Sequence, residues 1–455
     1  MADVKALVAA HRDELVEKLS ALVRINSVEG TPEEDAPFGQ GPKTALLAAL
    51  QMLDKDGFRT ANLDNYAGYG EMGEGSQLIG IIGHLDIVPA DQADGWDHDP
   101  FDPYVDEKGI IHGRGVADDK GAVVASMIAM KVIREMGIQP KKRIRLIMGT
   151  NEETGSKCLA HYVEKEGHVD LGFTPDGEFP GVHGEKGMIS AVYRSKKTGI
   201  RMIRGGTARN VVCPKCTVRI DKCSYSTKTL TDYFHNSSVD FEITDGPDYD
   251  EITVVGKAAH ASTPELGVNA ISTLLVGLHQ AGFQDPFVSF YVSHFGMSTD
   301  GTGMGCDAAD EYGALTLNNG VIGMKDGVIE GTIDIRFPVT LTVKKVTKMM
   351  EGHLEDENGQ VEIKGGVEPL FFAQDSELVQ SLLKAYRDVT GDTETEPMTI
   401  GGGTYAKGIH NTIAFGCAFP GTDYRIHNTN EWCPVDELLL QAEIYVQAVL
   451  NLLEV

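Results

Sequence analysis

The segment LIGIIGHLDIVP, residues 78–89, is the starting point for the fold that we expect for this chain. Its first six residues form a short apolar run, which is typical of a buried strand, and the polar residues His84 and Asp86 follow it directly. Two similar runs and one segment with the 3.6-residue period of a helix lie further along, namely RIRLIMG (143–149), TIAFGCAF (412–419) and AVVASMIAMKVIREMG (122–137). This alternation predicts an α/β fold with a largely parallel central sheet flanked by helices.

The middle of the chain has a different pattern. Between about residues 186 and 368, stretches such as MISAVYRS, VDFEITD and VIEGTIDIRFPV alternate apolar and polar residues, which predicts antiparallel strands. VNAISTLLVGLHQAG reads as a helix packed on their surface, and helical periodicity returns after residue 369. We therefore predict an inserted α+β lid domain with an antiparallel sheet at 186–368, and a discontinuous first domain formed by 1–185 and 369–455.

Composition excludes several classes of function. The formal net charge of -27 would repel a phosphate backbone, so we expect no nucleic-acid partner. No segment approaches the roughly 20 apolar residues that cross a bilayer, and the first residues lack the layout of a signal peptide. We therefore expect a cytoplasmic protein with no membrane partner.

The seven cysteines are an odd number scattered along the chain, which does not predict a disulfide framework. Cys213 and Cys216, with Cys223 nearby, resemble half of a zinc knuckle. A structural zinc site normally needs a second pair at matching spacing, and none is present. The pattern favours ordinary reduced thiols, although the role of this cluster stays open.

Acids and histidines gather at the points where the predicted buried strands end. In open sheets of this type, ligands collect at the carboxyl ends of the strands. The residues concerned are His84 and Asp86, Asp118 and Asp119, Glu152 and Glu153, Asp176, and His427. Each has an ordinary explanation when it is taken alone: a surface histidine beside an acid, a helix N-cap, or a solvated acidic turn.

Taken together, these residues are a suitable inventory for a metal centre. Two histidines and at least three carboxylates, all predicted at one edge of one sheet, can hold two divalent ions that share a bridging carboxylate. Nitrogen and oxygen ligands suit zinc, with manganese and cobalt as alternatives. The sequence therefore predicts two divalent ions per chain, with zinc first.

Nine segments, in order along nearly the whole chain, resemble the dinuclear metallopeptidase superfamily of aminoacylases and carboxypeptidases. Within that superfamily the match is nearest to the bacterial PepV-type dipeptidases. The segments are HLDIVP (84–89), GWDHDPFDPYVDEKG (95–109), GRGVADDKGA (113–122), NEETGSKCLAHY (151–162), GFTPDGEFP (172–180), GKAAHAS (256–262), DIRFPV (334–339), GGGTYA (401–406) and HNTNE (427–431). The resemblance implies that the discontinuous domain is catalytic and binds metal, and that the lid binds substrate.

The same resemblance implies a role for each residue of the metal centre. Asp118 bridges the two ions; His84 and Asp176 complete one site, and Glu153 and His427 complete the other. Glu152 is then the general base, Asp86 orients His84, and the peptide bond from Asp118 to Asp119 is cis.

The resemblance also implies roles for residues of the lid and of one glycine-rich loop. His260 would stabilise the oxyanion, although without the resemblance its position in a strand-end turn favours a structural histidine. Arg336 would bind the free carboxylate of the substrate, assisted by Asn210 and by the loop of Gly402, Gly403 and Thr404. A strand arginine could instead pair with a structural acid.

These expectations lead to metal-dependent hydrolysis of dipeptides, with a small peptide as the partner and a monomeric protein. Hydrolysis of N-acyl amino acids by a desuccinylase, deacetylase or carboxypeptidase is the alternative activity that reuses the same centre. A non-catalytic peptide-binding or metal-binding relative is the alternative outside enzymes. Glu152 beside Glu153 argues against that last reading, because binding alone needs no base. The sequence does not name the native metal or the preferred side chains.

Overall fold

The apolar runs of the sequence are strands of one sheet in the computed structural model, which describes residues 3–455. The described residues contain eleven α-helices: α1 (Val4–Ala10), α2 (Arg12–Val23), α3 (Gln40–Lys55), α4 (Lys120–Glu135), α5 (Lys157–Glu166), α6 (Thr227–Asn236), α7 (Ala270–Gln280), α8 (Pro286–His294), α9 (Val343–Met350), α10 (Glu377–Thr390) and α11 (Val435–Glu454).

The described residues also contain twenty-three strands. They are β1 (Arg59–Leu63), β2 (Ala67–Met72), β3 (Leu78–His84), β4 (Tyr104–Val105), β5 (Ile110–His112), β6 (Arg143–Gly149), β7 (Leu171–Thr174), β8 (Val182–Glu185), β9 (Gly187–Ser195), β10 (Met202–Gly205), β11 (Lys215–Asp221), β12 (Asp240–Asp245), β13 (Tyr249–Val255), β14 (Ala309–Asp310), β15 (Gly313–Ala314), β16 (Thr316–Asn318), β17 (Ile322–Lys325), β18 (Val328–Phe337), β19 (Gly359–Val367), β20 (Leu370–Phe371), β21 (Met398–Ile400), β22 (Thr412–Ala414) and β23 (Trp432–Pro434).

The chain divides into two compact units. The first unit consists of three segments: the described residues up to Gly184, then Phe372–Met398, and finally Gly403–Val455. The second unit is Glu185–Phe371 together with the short segment Thr399–Gly402.

The sheet of the first unit runs in the order β1-β2-β6-β3-β7-β22-β8. Its central strands are parallel, since β3 pairs in parallel with β6 and β7, and β22 pairs in parallel with β7. The predicted α/β class with parallel strands at its centre is thus confirmed. The run at 412–419 is shorter than expected, because Gly416 takes a φ of 78° that ends the extended conformation after Ala414.

Helix α4 is the buried centre of the first unit. Thirteen of its sixteen residues are buried, so the helix is covered on nearly every side, as an apolar segment of this kind requires. Its neighbours include α2 and α11, and they share one continuous apolar cluster with it. The helix ends before Gly137, whose φ of 73° is the left-handed conformation that terminates many helices.

The second unit has its own antiparallel sheet, in the order β12-β13-β11-β10-β17-β18-β9-β19 with β16 beside β18. Strand β9 alternates strictly between buried and half-buried residues, which is the period-two pattern of a strand with one covered face. Helix α7 is capped by the side chain of Asn269, and its apolar residues join the separate core of this unit. The expected antiparallel sheet of an inserted domain is therefore present.

No helix among residues 3–455 combines the length and the apolar character needed to span a bilayer.

Candidate metal centre

The parallel strands bring the acidic turns to one edge of the first sheet. His84 is the last residue of β3, and Glu152 and Glu153 follow β6, its parallel neighbour. Asp176 follows β7 on the other side of β3. Because the carboxyl ends of parallel strands meet at one edge, residues that are distant along the chain become neighbours.

Asp118 lies between the two histidines. Its Oδ1 is 3.0 Å from Nε2 of His84, and its Oδ2 is 2.9 Å from Nε2 of His427. Two oxygens of one carboxylate thus face two different imidazoles, which is the arrangement that a carboxylate shared between two cations requires. The peptide bond from Asp118 to Asp119 is cis.

The remaining carboxylates complete the cluster. Nε2 of His427 is 3.2 Å from Oε2 of Glu153, and Nε2 of His84 is 3.8 Å from Oδ2 of Asp176. Potential ligand atoms of His84, Asp118 and Glu153 all lie within 4.8 Å of one another, and the same holds for His84, Glu152 and Asp176. The structure therefore brings together all five residues expected to bind metal, with Glu152 beside them.

Burial and charge push the pKa values of this cluster apart. Burial raises the pKa of Asp176 to about 7, and the negative charge of Asp118 adds to the effect. Burial also disfavours the charged form of Asp118, but hydrogen bonds with His427 and His84 outweigh it and hold the Asp118 pKa well below its usual range. Burial lowers the pKa of His427, yet contacts with Asp118 and Glu153 outweigh burial and raise it to about 11.

These shifts test whether the residues fit a metal. Several carboxylates are crowded together, and protons on Asp176 and His427 offset part of their mutual repulsion. A divalent cation would offset it more strongly, and imidazole nitrogens and carboxylate oxygens are ligands that zinc and manganese accept. The donor set therefore fits a pair of divalent ions.

The contacts of Asp86 differ from the simplest expectation, in which its carboxylate would orient His84. Nδ1 of His84 is 2.9 Å from the backbone carbonyl oxygen of Asp86 but 3.6 Å from its carboxylate. The carboxylate instead accepts the backbone N–H groups of Glu152 and Glu153, each at 3.0 Å. Residue 86 thus holds the imidazole through its main chain and holds the turn of the two glutamates through its side chain.

Glu431 was not singled out from the sequence, although it ends the HNTNE turn. It is fully buried, and its carboxylate accepts the backbone N–H groups of Gly115, Ala117 and Asp118 at 2.9 to 3.2 Å. It also accepts Nη1 of Arg114 at 2.7 Å. This one carboxylate therefore fixes the loop that presents Asp118, and its place in a turn that carries the family resemblance was the only sequence signal.

Within the second unit, the structure brings His260 and Asn210 into adjacent segments. Residues Val211 and His260 form an isolated antiparallel bridge, and the backbone oxygen of Asn210 accepts the N–H of Ala261 at 2.8 Å. The backbone N–H of Ser262 donates to Nδ1 of His260 at 3.2 Å, so the neutral ring carries its proton on Nε2. His260 is therefore prepared to donate a hydrogen bond from Nε2.

Arg336 is paired with an acid of its own strand. Its Nε and Nη2 donate to the two carboxylate oxygens of Asp334 at 2.6 and 3.2 Å, and Nη1 donates to the backbone oxygen of Gly401 at 3.1 Å. The structural alternative considered from the sequence thus describes these contacts. A role for Arg336 in binding a substrate carboxylate stays a prediction.

The glycine-rich segment is tightly constrained. A Cβ on Gly401 would lie 2.4 Å from Cβ of Ser262, so no larger residue fits without movement. Gly402 and Gly403 follow, and the hydroxyl oxygen of Thr404 accepts the N–H of Ala406. The Thr404 side chain therefore caps the short turn that comes after it, and its part in substrate binding also stays a prediction.

A cavity of about 500 Å³ opens beside Asp118 and Asp176 in the first unit. Asp118 and Asp176 line one side, and Phe419 and Ile426 contribute apolar surface. The cavity is large enough for a small ligand.

The cysteine cluster does not join any group that could hold a metal ion among residues 3–455. Cys213 and Cys216 are buried free thiols in the second unit, and Cys223 is an exposed free thiol. Burial raises the pKa of Cys213 to about 11, which leaves it a neutral thiol at physiological pH.

Comparison with known proteins supports one family. A sequence model of peptidase family M20/M25/M40 matches residues 80–451. A protein of Staphylococcus saprophyticus named "Putative dipeptidase" is 34% identical over 465 residues, with 98% of each chain covered.

Two solved structures share the fold. Human carnosine dipeptidase 1 aligns with a TM-score of 0.60 at 18% identity, covering 99% of this chain and 98% of that one. The di-peptidase Dug1p from Saccharomyces cerevisiae aligns with the same TM-score at 16% identity, with the same coverage. At such low identity these likenesses establish the fold alone.

Proposed function

This chain belongs to peptidase family M20/M25/M40 and is a metallopeptidase, and from that premise we propose that it hydrolyses dipeptides at a pair of divalent metal ions. The observation that carries the proposal is the convergence of His84, Asp118, Glu153, Asp176 and His427 around one point, with Glu152 beside them. The dipeptidase name of a relative that matches along nearly the whole chain favours dipeptides over N-acyl amino acids.

We assign the ligands as the resemblance implies. Asp118 would be shared between the ions, His84 and Asp176 would hold one ion, and Glu153 and His427 would hold the other. When bound, the metal pair would acidify a water molecule and polarise the peptide carbonyl. Zinc is our first choice, with manganese or cobalt as alternatives, because all three accept this donor set.

The surroundings of Glu152 support a role in proton transfer. Burial raises its pKa well above the usual range, and the nearby charges of Asp176 and Glu153 raise it further. A carboxylate with a raised pKa accepts a proton more readily and holds it long enough to pass it on. We propose that Glu152 removes a proton from the attacking water and then delivers it to the leaving amine.

The substrate groups find partners of suitable chemistry. His260 would donate from Nε2 to the oxyanion that develops at the carbonyl. Arg336, Asn210 and the segment from Gly402 to Thr404 would bind the free carboxylate of the substrate. For Arg336 this requires sharing the guanidinium with Asp334, which already uses two of its donors.

The cavity beside Asp118 and Asp176 would take one side chain of the dipeptide. Phe419 and Ile426 would contact its apolar part, and Glu178 and Asp423 also line this space. Cytoplasmic location and a monomeric state stay predictions from the sequence.

The test uses metal-loaded protein with a panel of dipeptides, tripeptides and N-acyl amino acids. We expect turnover of dipeptides, and loss of nearly all turnover in Glu152→Ala with the fold retained. Glu164→Ala changes an exposed glutamate of α5 and is the matched control that keeps full activity. Turnover of N-acyl amino acids alone would reject the dipeptidase proposal, and unchanged turnover in Glu152→Ala would reject the assigned base.

A further inference from the structure

A second cavity, of about 290 Å³, lies within the first unit and is lined by both tryptophans of the chain, Trp96 and Trp432. It also includes Tyr104 and the segment Asp97–Asp99. This volume is at or just below the lower end of the range for ligand cavities, roughly 300–1,000 Å³. The cavity therefore suits a ligand of amino-acid size. None of the five proposed metal ligands lines it.

The aromatic wall of this cavity is held in place by its neighbours. Trp96 is buried, and the guanidinium of Arg114 lies 5.1 Å from the centre of its indole ring. The ring of Tyr104 stacks on His112 with 4.8 Å between centroids. The backbone N–H of Asp97 donates to Oδ1 of Asn430 at 2.8 Å, which joins the two loops that form the cavity.

Opposite charges line this cavity without neutralising each other. Arg425 and Asp97 both line it, yet neither is within 4.0 Å ion-pair distance of an opposite charge among the described residues. Asp99 also lines the cavity, and one of its oxygens accepts the N–H of Phe101. A ligand that carries both a negative and a positive group would satisfy both sides at once.

We propose that this cavity binds a free α-amino acid in its zwitterionic form. Its carboxylate pairs with Arg425, its ammonium group pairs with Asp97 and Asp99, and an apolar side chain packs on the aromatic rings. Free amino acids are the products of the hydrolysis proposed above, but this binding does not depend on that activity. The site therefore goes beyond the proposed function.

A ligand in this cavity would contact the loop that carries His427. Arg425 and Asn430 flank His427 on one loop, so a ligand held by Arg425 contacts the segment that presents a proposed metal ligand.

The two tryptophans make the site directly observable. Because they are the only tryptophans of the chain and both line the cavity, intrinsic fluorescence reports on its occupancy. Metal-free full-length protein is titrated with L-leucine, with leucinamide, which lacks the carboxylate, and with N-acetyl-leucine, which lacks the ammonium group. We expect saturable binding of leucine, and binding of each analogue weaker by about tenfold, the factor that one charge-assisted hydrogen bond supplies.

Variants assign the two ends of the ligand. Arg425→Gln should weaken leucine binding about tenfold. It should leave leucinamide binding unchanged, because leucinamide has no carboxylate that could pair with Arg425. Asp97→Asn combined with Asp99→Asn should weaken leucine binding and leave N-acetyl-leucine binding unchanged. Arg219→Gln changes an arginine of the second unit and is the matched control that preserves all three affinities.

All of the substituted side chains lie at the surface, so folding is preserved and the comparison stays interpretable. Three results would overturn the proposal: no saturable change with leucine up to about 10 mM, equal affinity for leucine and its two analogues, or leucine binding that Arg425→Gln leaves unchanged. The hydrolysis assay with Glu152→Ala tests the proposed function separately, so failure of one proposal does not decide the other.

Discussion

Replacing Glu431 by glutamine should destabilise the first unit and weaken its metal centre, although the side chain keeps its size. The buried carboxylate accepts three backbone N–H groups and the guanidinium of Arg114. Glutamine offers one acceptor oxygen and an NH2 group that only donates. In one orientation the NH2 faces the 2.7 Å contact with Arg114; in the other it faces the N–H groups of Ala117 and Asp118.

The size of the effect follows from the burial of both partners. Arg114 is 3% exposed and Glu431 is 0% exposed, so the substitution leaves a buried guanidinium without its counter-charge. Removing one member of a buried ion pair costs about 3–5 kcal/mol. In the orientation that turns the NH2 group towards Asp118, the N–H of Asp118 loses its acceptor. We therefore also expect metal affinity to fall about 10- to 100-fold, as it does when groups that orient metal ligands are lost.

The assay is urea unfolding of the metal-free protein, followed by tryptophan fluorescence. Trp96 and Trp432 both belong to the first unit, so the signal reports on the unit that contains Glu431. Glu437→Gln is the matched control, since the one hydrogen bond of the Glu437 side chain among residues 3–455 comes from the hydroxyl of Tyr424. An unfolding free energy of Glu431→Gln within about 1 kcal/mol of the wild type would refute the reasoning, because surface substitutions alone cause changes of that order.

Two further predictions concern other carboxylates. Asp86→Asn places an NH2 group against the N–H of Glu152 or Glu153, which disturbs the turn that carries both glutamates. In steady-state kinetics, kcat should therefore fall about 10- to 100-fold with a smaller change in KM. An unchanged kcat would exclude this role of Asp86. Burial raises the pKa of Glu14, but hydrogen bonds from Lys131 and a second lysine outweigh it and lower that pKa to about 2. Glu14 therefore stabilises the fold by about 1–2 kcal/mol above its ordinary pKa of 4.5, and this contribution is lost as pH falls towards 2. Urea unfolding of Glu14→Gln should differ from the wild type at pH 7 and converge with it near pH 2; a constant difference would contradict the assignment.

Much of the fold was predictable because local patterns decide it. The apolar runs at 78–83 and 143–149 are short, continuous and followed by polar turns, which left little choice but buried parallel strands. Parallel pairing then fixed the edge at which His84 and Asp176 meet, so the clustering of these acids and histidines could be inferred from the sequence. The end of β22 was not predicted, because the sequence does not show whether a glycine in an apolar run adopts a positive φ, as Gly416 does.

The contacts that hold the site could not be predicted in this way. Glu431 and Arg114 are separated by 317 positions, and no periodicity relates residues so far apart. The sequence allowed two hydrogen-bond partners for the side chain of Asp86: the imidazole two residues before it and the backbone of the Glu152 turn. Only the folded structure shows that the carboxylate binds the backbone. Likewise the pairing of Arg336 with Asp334 is one of two outcomes that the sequence allowed.

The most direct test of the metal centre is a calorimetric titration of metal-free protein with Zn²⁺, for the wild type and for Asp118→Asn. If Asp118 is shared between two ions, the wild type binds two zinc ions per chain and the variant loses tight binding at both sites. One zinc ion per wild-type chain, or two equally tight sites retained in Asp118→Asn, would contradict the account.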